Sequence, residues 1–269
     1  MAHLLIWGLV GVLYSPVIYQ LYKARWETID YTHAYFILPL SLFLAWRNLR
    51  SYKGPDAPRT AAGLSLAVLG LFMFIVGWKF GFFFITTLSL IPLLYGIIIY
   101  IYGKGLAKLL SFPILYLLLM MPPPLGVLDA ITIPMRHGIS VAAVAIMNAI
   151  HYPIHREGLM IYLGTHEIFM GAPCSGFRSL ITMFSLGIFY VYVIKGTLLK
   201  KFVLVAAIIP LALFGNLVRV ITLCLLTYHK GEKVAQGFFH YFSGGVIFVI
   251  MIIGLLFIEF IMEKYENKR

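Results

Sequence analysis

Long apolar runs separated by short polar loops dominate the pattern of this chain. Several runs approach the roughly 20 residues that an α-helix needs to cross about 30 Å of hydrocarbon. The pattern predicts about eight membrane-spanning helices. Their approximate bounds are 4–22, 31–46, 62–79, 82–102, 106–121, 175–194, 202–227 and 242–262. We therefore predict an all-α fold, a polytopic transmembrane helix bundle that forms one integral membrane domain over residues 1–269.

The largest stretch without a predicted span covers about residues 122–173. It begins with Pro122-Pro123-Pro124, which ends the fifth span because proline lacks the backbone N–H. The apolar run 138–150 is only about half a membrane thick, so we predict an interfacial or re-entrant helix there. Residues 158–170 form two short runs around Gly164-Thr165, which predicts a β-hairpin with a type II′ turn. This hairpin could bind an extended peptide as an added strand, or cover the bundle as a lid.

Composition and charge agree with a membrane protein. Of 269 residues, 61% are hydrophobic and 12% are charged, whereas a soluble domain carries about twice that charge. The formal charge of +11 would suit nucleic-acid binding, but the basic residues are scattered over short loops, which is typical of membrane topology. Placing these loops in the cytoplasm puts both termini inside and residues 122–173 outside. We therefore predict a multi-pass protein of the cell membrane that binds no nucleic acid.

The chain has two cysteines, Cys174 and Cys224. Cys224 lies within an apolar span, so a disulfide between them is not expected. No Cys/His spacing indicates zinc or another metal, and we expect no cofactor. Cys174 lies where the polar segment meets the sixth span, and Gly176 leaves room beside it. A thiol in water is mostly protonated at neutral pH, but a helix start favours the thiolate.

Polar side chains that a membrane tolerates poorly are rare in the predicted spans and are candidates for function. The candidates are Arg178, Asn216, Arg219, His240 and His33. Arg178 follows Cys174 by about one helical turn, and Asn216 precedes Arg219 by about one turn on the same face. The topology derived from loop charges alone puts the four ionisable candidates and Cys174 near the outer leaflet. This convergence predicts a site at the extracytoplasmic surface.

These groups together fit nucleophilic catalysis. The imidazole of His240 can take the thiol proton and return it to a leaving amine. The guanidinium of Arg219 cannot act as a base, but it can donate to a developing oxyanion. Structural alternatives exist for each residue. Cys174 could be a packing residue, and Arg219 could belong to an ion pair. Arg178 could contact lipid phosphates, and His240 and especially His33 could be interfacial residues.

Three separated motifs resemble those of the exosortase/archaeosortase family of membrane-embedded cysteine transpeptidases. They are Cys174-Ser175-Gly176-Phe177-Arg178-Ser179, Asn216-Leu217-Val218-Arg219-Val220 and His240-Tyr241-Phe242-Ser243-Gly244. The resemblance implies that Cys174 is the nucleophile, Arg219 its electrostatic partner and His240 the third catalytic residue. It implies a substrate-binding or supporting role for Arg178, Asn216, Ser175, Gly176 and His33. Thr32-His33-Ala34 departs from the family's S-H-G at that position.

The resemblance also implies a function. The family cleaves the C-terminal sorting signal of secreted proteins, which consists of a short motif, a transmembrane helix and a basic cluster. A thioacyl intermediate then passes the protein to an acceptor, for which a lipid is a candidate, on the extracytoplasmic side of the cytoplasmic membrane. Two other functions fit the residues alone: a small-molecule or lipid transporter of the cell envelope whose intramembrane arginine binds an anion, and a non-catalytic scaffold.

Overall fold

The computed structural model describes residues 2–26, 31, 33–52, 54, 60–121, 123, 126–170, 177–235 and 240–266. In these ranges the chain is helical except for connecting turns and one small three-stranded sheet. The predicted all-α polytopic bundle is therefore confirmed. The chain forms two compact units, Met1–Pro124 and Leu125–Arg269.

The first unit consists of helices that vary widely in length. They are α1 (Ala2–Leu21), α2 (Ala34–Leu49), α3 (Ala61–Lys79), α4 (Phe83–Leu88), α5 (Leu90–Tyr102), α6 (Lys104–Leu109) and α7 (Ser111–Tyr116). A π-helical turn, Tyr22–Trp26, follows α1, and a 3₁₀ turn, Leu117–Met120, follows α7. The single span predicted at 106–121 is thus wrong in detail, because it is divided among three short elements. Pro113 explains one break, since proline fits only the first turn of a helix.

α3 packs closely on α4 and α5 because glycines line the contact. A Cβ built on Gly70 would lie 2.6 Å from the backbone N of Leu93. Gly63 lies seven residues before Gly70 and comes similarly close to α5. Gly77 lies seven residues after Gly70 and comes similarly close to α4. Small residues allow two helix backbones to approach and gain van der Waals contact, which drives helix association in lipid.

Polar side chains of α2 bind backbone carbonyls of the proline-containing segment. Asn48 Nδ2 donates to the carbonyl of Leu109 at 2.9 Å. The usual helical donor to that carbonyl would be residue 113, which is a proline and has no N–H. Ser41 Oγ donates to the carbonyl of Pro113 at 2.7 Å. These bonds satisfy acceptors that would be costly to leave unpaired in an apolar environment.

The second unit contains the remaining helices and the sheet. Its elements are α8 (Val127–Ala149), β1 (Ile154–Glu157), β2 (Met160–Leu163), β3 (His166–Phe169), α9 (Phe177–Val193), α10 (Leu198–Lys230), α11 (Glu232–Val234) and α12 (His240–Glu266).

Within the described residues, five helical segments are long and apolar enough to cross a membrane. They are His3–Leu21, Ala61–Lys79, Phe83–Tyr102, Asp129–Ala149 and Leu198–Lys230. The shorter apolar helices are Ala34–Leu49, Ser111–Met120 and Leu180–Val193. The chain is therefore a multi-pass membrane protein by the length and composition of its helices.

α8 is longer than the half-membrane helix predicted at 138–150, so that prediction is wrong in length. The helix begins at Val127, and its segment Asp129–Ala149 is long enough to cross a bilayer. The polar residues that interrupt the apolar pattern are accommodated within the helix. Arg136 Nη2 donates to Thr132 Oγ1 one turn earlier, at 3.0 Å. A local bond of this kind lets a charged residue continue a helix where hydropathy alone predicts none.

A three-stranded antiparallel sheet in the order β1-β2-β3 follows α8. Leu163 pairs with His166 around the two-residue turn Gly164-Thr165. Gly164 has a φ of +59°, and Thr165 does not have a positive φ, as a type II′ turn requires. The predicted hairpin is therefore confirmed. β1 adds a second hairpin around Gly158-Leu159 that the sequence analysis did not predict.

Two apolar clusters hold the second unit together. One joins α9, α10 and α12 and includes Met183, Ile208 and Leu255. The other joins the sheet, α8 and α10 and includes Ile161 and Cys224. Cys224 is fully buried in this second cluster, which agrees with its prediction as a residue deep in an apolar helix.

Candidate functional site

Contacts at two heights along the helix axes show in which direction α9, α10 and α12 run relative to one another. At one level, Tyr190 near the end of α9 donates to Glu259 near the end of α12. Lys200, near the start of α10, lies 3.2 Å (Nζ to Oε1) from the same carboxylate. Because α10 begins where the other two helices end, the starts of α9 and α12 lie toward the opposite end of this group.

The contacts at the second height, where glycines of α9 and α12 meet α10, agree with these helix directions. A Cβ built on Gly187 of α9 would lie 2.3 Å from Cδ1 of Ile208, and one on Gly254 of α12 would lie 2.9 Å from Cδ2 of Leu211. As residue numbers increase along α10, the numbers of the contacted residues decrease along α9 and along α12. α10 is antiparallel to α9 and to α12.

This arrangement brings Arg219 and the first residue of α12 to one level. The same number of positions separates Lys200 from Arg219 and His240 from Glu259. At about 1.5 Å per helical residue, both positions lie about 28 Å from the Lys200–Glu259 ion pair. This distance is close to the thickness of the hydrocarbon core, about 30 Å. The backbone of His240 therefore lies at the level of Arg219; the side chain of His240 is outside the described part of the chain.

Arg219 lies on the buried face of α10. Its exposed fraction is 9%, and that of Asn216, one turn earlier, is 1%. The buried positions of this helix form one stripe at helical spacing: Lys200, Leu204, Ile208, Ala212, Gly215, Asn216, Arg219, Val220, Cys224 and Thr227. A guanidinium on this face agrees with the rule that charged groups within a membrane point into the protein.

The predicted nucleophile lies between described segments. Cys174, Ser175 and Gly176 are outside the described residues, and α9 is described from Phe177 onward. Arg178 belongs to the first turn of α9, but its side chain is also outside the description.

The chain on the other side of this gap is well packed. Met170 follows β3, is fully buried, and belongs to the same apolar cluster as Val220, the neighbour of Arg219. Cys174 comes four positions after Met170 in the sequence.

His33 lies in the first unit, whereas the other candidates lie in the second. It is 3% exposed, and its Nε2 is 3.1 Å from the carbonyl of Leu119. Nearby, Trp26 Nε1 donates to the carbonyl of Met120 at 3.3 Å. Residues 123 and 124, the usual helical donors to these two carbonyls, are prolines. His33 thus has a structural role in closing the end of a helix, and its supporting role at the site remains a prediction.

A charge cluster around the buried Lys200 escaped the sequence analysis. Lys200 is 1% exposed and lies 3.2 Å from Glu259 and 3.0 Å from Glu263 (Nζ to Oε1 in each pair). Lys200 falls between the predicted spans 175–194 and 202–227, so the sequence analysis counted it among the basic residues of a cytoplasmic loop. The spacing of four between the two glutamates, which puts them on one face of α12, is the signal that could have revealed the cluster.

A second contact that the sequence did not predict joins β1 to α8. Arg156 Nη1 lies 3.3 Å from Nδ1 of His137 and donates to the carbonyl of Gly158 at 3.0 Å. This side chain fixes the first strand against the helix. In the described part of the chain, no group of three or more His, Cys, Asp or Glu residues is placed to hold a metal ion.

The fold and these positions define a multi-pass membrane protein with a buried arginine at one end of a three-helix group. Residues 26–257 match the model of the family described as transmembrane exosortase (Exosortase_EpsH). Since the match covers most of the chain, this chain belongs to the transmembrane exosortase family, and the resemblance drawn from the three motifs is confirmed. Membership supports a role as a membrane protein-sorting transpeptidase. No curated protein and no solved structure matches the chain.

Proposed function

We propose that this chain is a cysteine transpeptidase that cleaves the C-terminal sorting signal of secreted proteins. The Cys174 thiolate attacks the carbonyl carbon of the scissile peptide bond. His240 carries the thiol proton and delivers it to the leaving amine as the C–N bond breaks, which leaves a thioester on Cys174. An acceptor nucleophile, a lipid amine or water, then attacks the thioester and gives its proton to His240 as the C–S bond breaks and the thiolate is released.

The observation that carries this proposal is the burial of Arg219 at the level where α12 begins. A guanidinium held on the inner face of a membrane helix donates from a fixed position in a poorly hydrated setting. There it stabilises the oxyanion that forms during attack and collapse, a contribution of about 3–4 kcal/mol in other enzymes. Family membership over residues 26–257 supports the same assignment.

The remaining matched positions have supporting roles in this proposal. Arg178, one turn after Cys174, favours the thiolate. Asn216, on the same buried face as Arg219, orients the guanidinium or the substrate carbonyl. Ser175 and Gly176 leave the space that a substrate backbone needs beside the sulfur.

The substrate class and the location belong to the same proposal. The partner is a secreted protein whose C terminus carries a short motif, a membrane helix and a basic cluster. The bias of Lys and Arg toward alternate loops supports an active site on the extracytoplasmic side of the cytoplasmic membrane.

The two cysteines supply a matched test. The probe is a secreted reporter that ends in a sorting signal encoded by the same genome, expressed with the full-length protein. We expect Cys174→Ala to lower reporter cleavage by at least about 1,000-fold, as loss of a nucleophile does in other enzymes. Cys224→Ala, which alters a fully buried packing residue, should retain cleavage. Full cleavage by the Cys174→Ala protein would overturn the proposal, and absence of cleavage by the wild-type protein would favour a transporter or a scaffold.

A further inference from the structure

We propose that the free edge of β3 binds the recognition segment of the substrate as an added β-strand. The occupant is an extended peptide segment of the secreted protein, paired through its backbone. This inference rests on the proposed function, because it specifies how the same site holds the peptide that Cys174 attacks.

The register of the β2–β3 hairpin shows which groups face the free edge. Leu163 and His166 flank the two-residue turn, so they form a hydrogen-bonded pair, and bonded and non-bonded pairs alternate along an antiparallel ladder. Glu167 and Phe169 fall in the non-bonded pairs. Their N–H and C=O groups therefore point away from β2, toward the edge where a further strand would add.

Two observations support this assignment. The backbone N of Met170 donates to the carbonyl of Leu159 at 2.8 Å. The alternation predicts that Leu159 and Met170 form a hydrogen-bonded pair, and this bond agrees with it. Among the described residues, Glu167 and Phe169 make no backbone hydrogen bond to any segment outside the sheet. A row of such groups is a template for strand addition, which is a recurrent way to bind an extended peptide.

The opposite edge of the sheet, that of β1, contacts α8. β1 packs against α8, and Arg156 reaches His137 on that helix. The backbone N of Ile154 donates to the carbonyl of Tyr152 at 2.9 Å. β2 is the central strand, so the edges of the sheet belong to β1 and β3, and we assign the peptide to β3 because this strand precedes Cys174 in the sequence.

The position of β3 connects this edge to the proposed nucleophile. β3 leads directly to Met170, which packs in the cluster that contains Val220, and then within four residues to Cys174. A peptide paired with Glu167 and Phe169 therefore lies beside the strand that precedes the thiol in the sequence. Strand pairing would hold the scissile bond in the extended form that attack by the sulfur needs.

The side chains of the edge residues indicate what the peptide should contain. Glu167 and Phe169 lie two positions apart on the outer face, and Phe169 is 63% exposed. An apolar residue opposite Phe169 would bury this ring, and an acidic residue opposite Glu167 would be repelled. We therefore infer a recognition segment with an apolar residue at one position and a non-acidic residue two positions away.

Backbone substitutions at Glu167 test the inference. Glu167→Pro removes the outward N–H and leaves the bonds to β2 intact, whereas Glu167→Ala removes the side chain and keeps the N–H. The probe is the reporter that the wild-type protein cleaves. We expect Glu167→Pro to lower kcat/KM by about tenfold or more, which corresponds to about 1.4 kcal/mol, and Glu167→Ala to have a clearly smaller effect. Phe169→Pro and Phe169→Ala form a second pair with the same expectation.

Amide hydrogen exchange provides a measurement that does not depend on how well the proline variants fold. In the Cys174→Ala protein, addition of the reporter should slow exchange at Glu167 and Phe169 more than at the β1 residues. If the wild-type protein cleaves the reporter, but the proline variants cleave it equally well or the reporter leaves exchange at β3 unchanged, the inference is wrong while the proposed function stands. If the wild-type protein cleaves no reporter, the proposed function itself has failed.

Discussion

Two basic side chains on the buried stripe of α10 illustrate how differently a membrane protein can use a cation. Lys200, 1% exposed, lies between Glu259 and Glu263, so its charge is compensated and its role is to join α10 to α12. Arg219, one membrane thickness further along the helix, lies on the same buried face and in the sequence motif that resembles the family's. Burial of a charged group is costly in both cases, and for Lys200 the two glutamates of α12 compensate this cost.

The Lys200 cluster predicts an effect on stability from a single substitution. Lys200→Met should destabilise the protein by about 1–3 kcal/mol, because it leaves the partly buried carboxylate of Glu259 without its cation. The double variant Lys200→Met/Glu259→Gln should recover part of this loss, because the uncompensated charge is gone. Thermal unfolding of the detergent-solubilised protein measures both changes. Equal destabilisation of the single and double variants would show that the charge pairing is not the cause.

The sequence revealed some of the buried polar residues and missed the contacts of others. The difference depends on whether a residue is recognisable from its neighbours in the sequence or only from distant contacts. Arg219 and Asn216 could be found because polar residues inside an apolar run are conspicuous, and both prove to be buried. The structural contact of His33 with the Leu119 carbonyl could not be found, because it depends on prolines far away in the sequence. Lys200 was interpreted as a loop residue because its partners are on another helix.

At the scale of elements, close packing between helices depends on glycine positions that composition alone does not reveal. Gly63, Gly70 and Gly77 follow one face of α3, and Gly96 of α5 returns the contact, since its added Cβ would lie 2.2 Å from the backbone N of Ala67. The glycines on this face of α3 are seven residues apart, so a search for the four-residue G-x-x-x-G spacing does not find them.

This contact predicts a contrast between two glycine-to-alanine substitutions. Gly70→Ala should destabilise the protein by about 1–3 kcal/mol, because the added methyl overpacks against Leu93. Gly11→Ala in α1 is the control: nothing lies within 4 Å of its added Cβ, and alanine favours a helix over glycine by up to about 1 kcal/mol. Thermal unfolding in detergent compares the two variants. A Gly70→Ala protein as stable as the wild type would contradict the close packing of α3 on α5.

Element boundaries show where hydropathy is sufficient and where it is not. α1 and α3 agree with the predicted spans because each is an uninterrupted apolar run. α8 was predicted too short because local bonds such as that of Arg136 to Thr132 are invisible to a hydropathy pattern. β1 was missed because its four residues, Ile154–Glu157, include three that are polar.

At the scale of the whole molecule, the account depends on which side of the membrane carries the sheet. The charge bias predicts that residues 122–173 are outside. α8 is long enough to cross a bilayer, and a full crossing by that helix would invert every later loop.

Labelling of single cysteines tests this topology directly. In a protein with Cys174→Ala and Cys224→Ala, a cysteine at Glu167 should react with a membrane-impermeant maleimide in intact cells. A cysteine at Lys195 should react only after permeabilisation. Both positions are exposed in the structure, so access depends on the membrane side. The reverse pattern would mean that α8 crosses the membrane and that the site faces the cytoplasm.

The central claim is that a thioacyl bond forms on Cys174, and direct detection of this bond is the most decisive measurement. Membranes that contain the wild-type protein and the reporter are quenched in acid, digested and analysed by mass spectrometry, with and without hydroxylamine before quenching. The account predicts a Cys174 peptide joined by a thioester to the cleaved reporter, and a hydroxamate at the reporter's new C terminus when hydroxylamine is present. Cleavage of the reporter without the adduct, and with the same free carboxylate under both conditions, would contradict it.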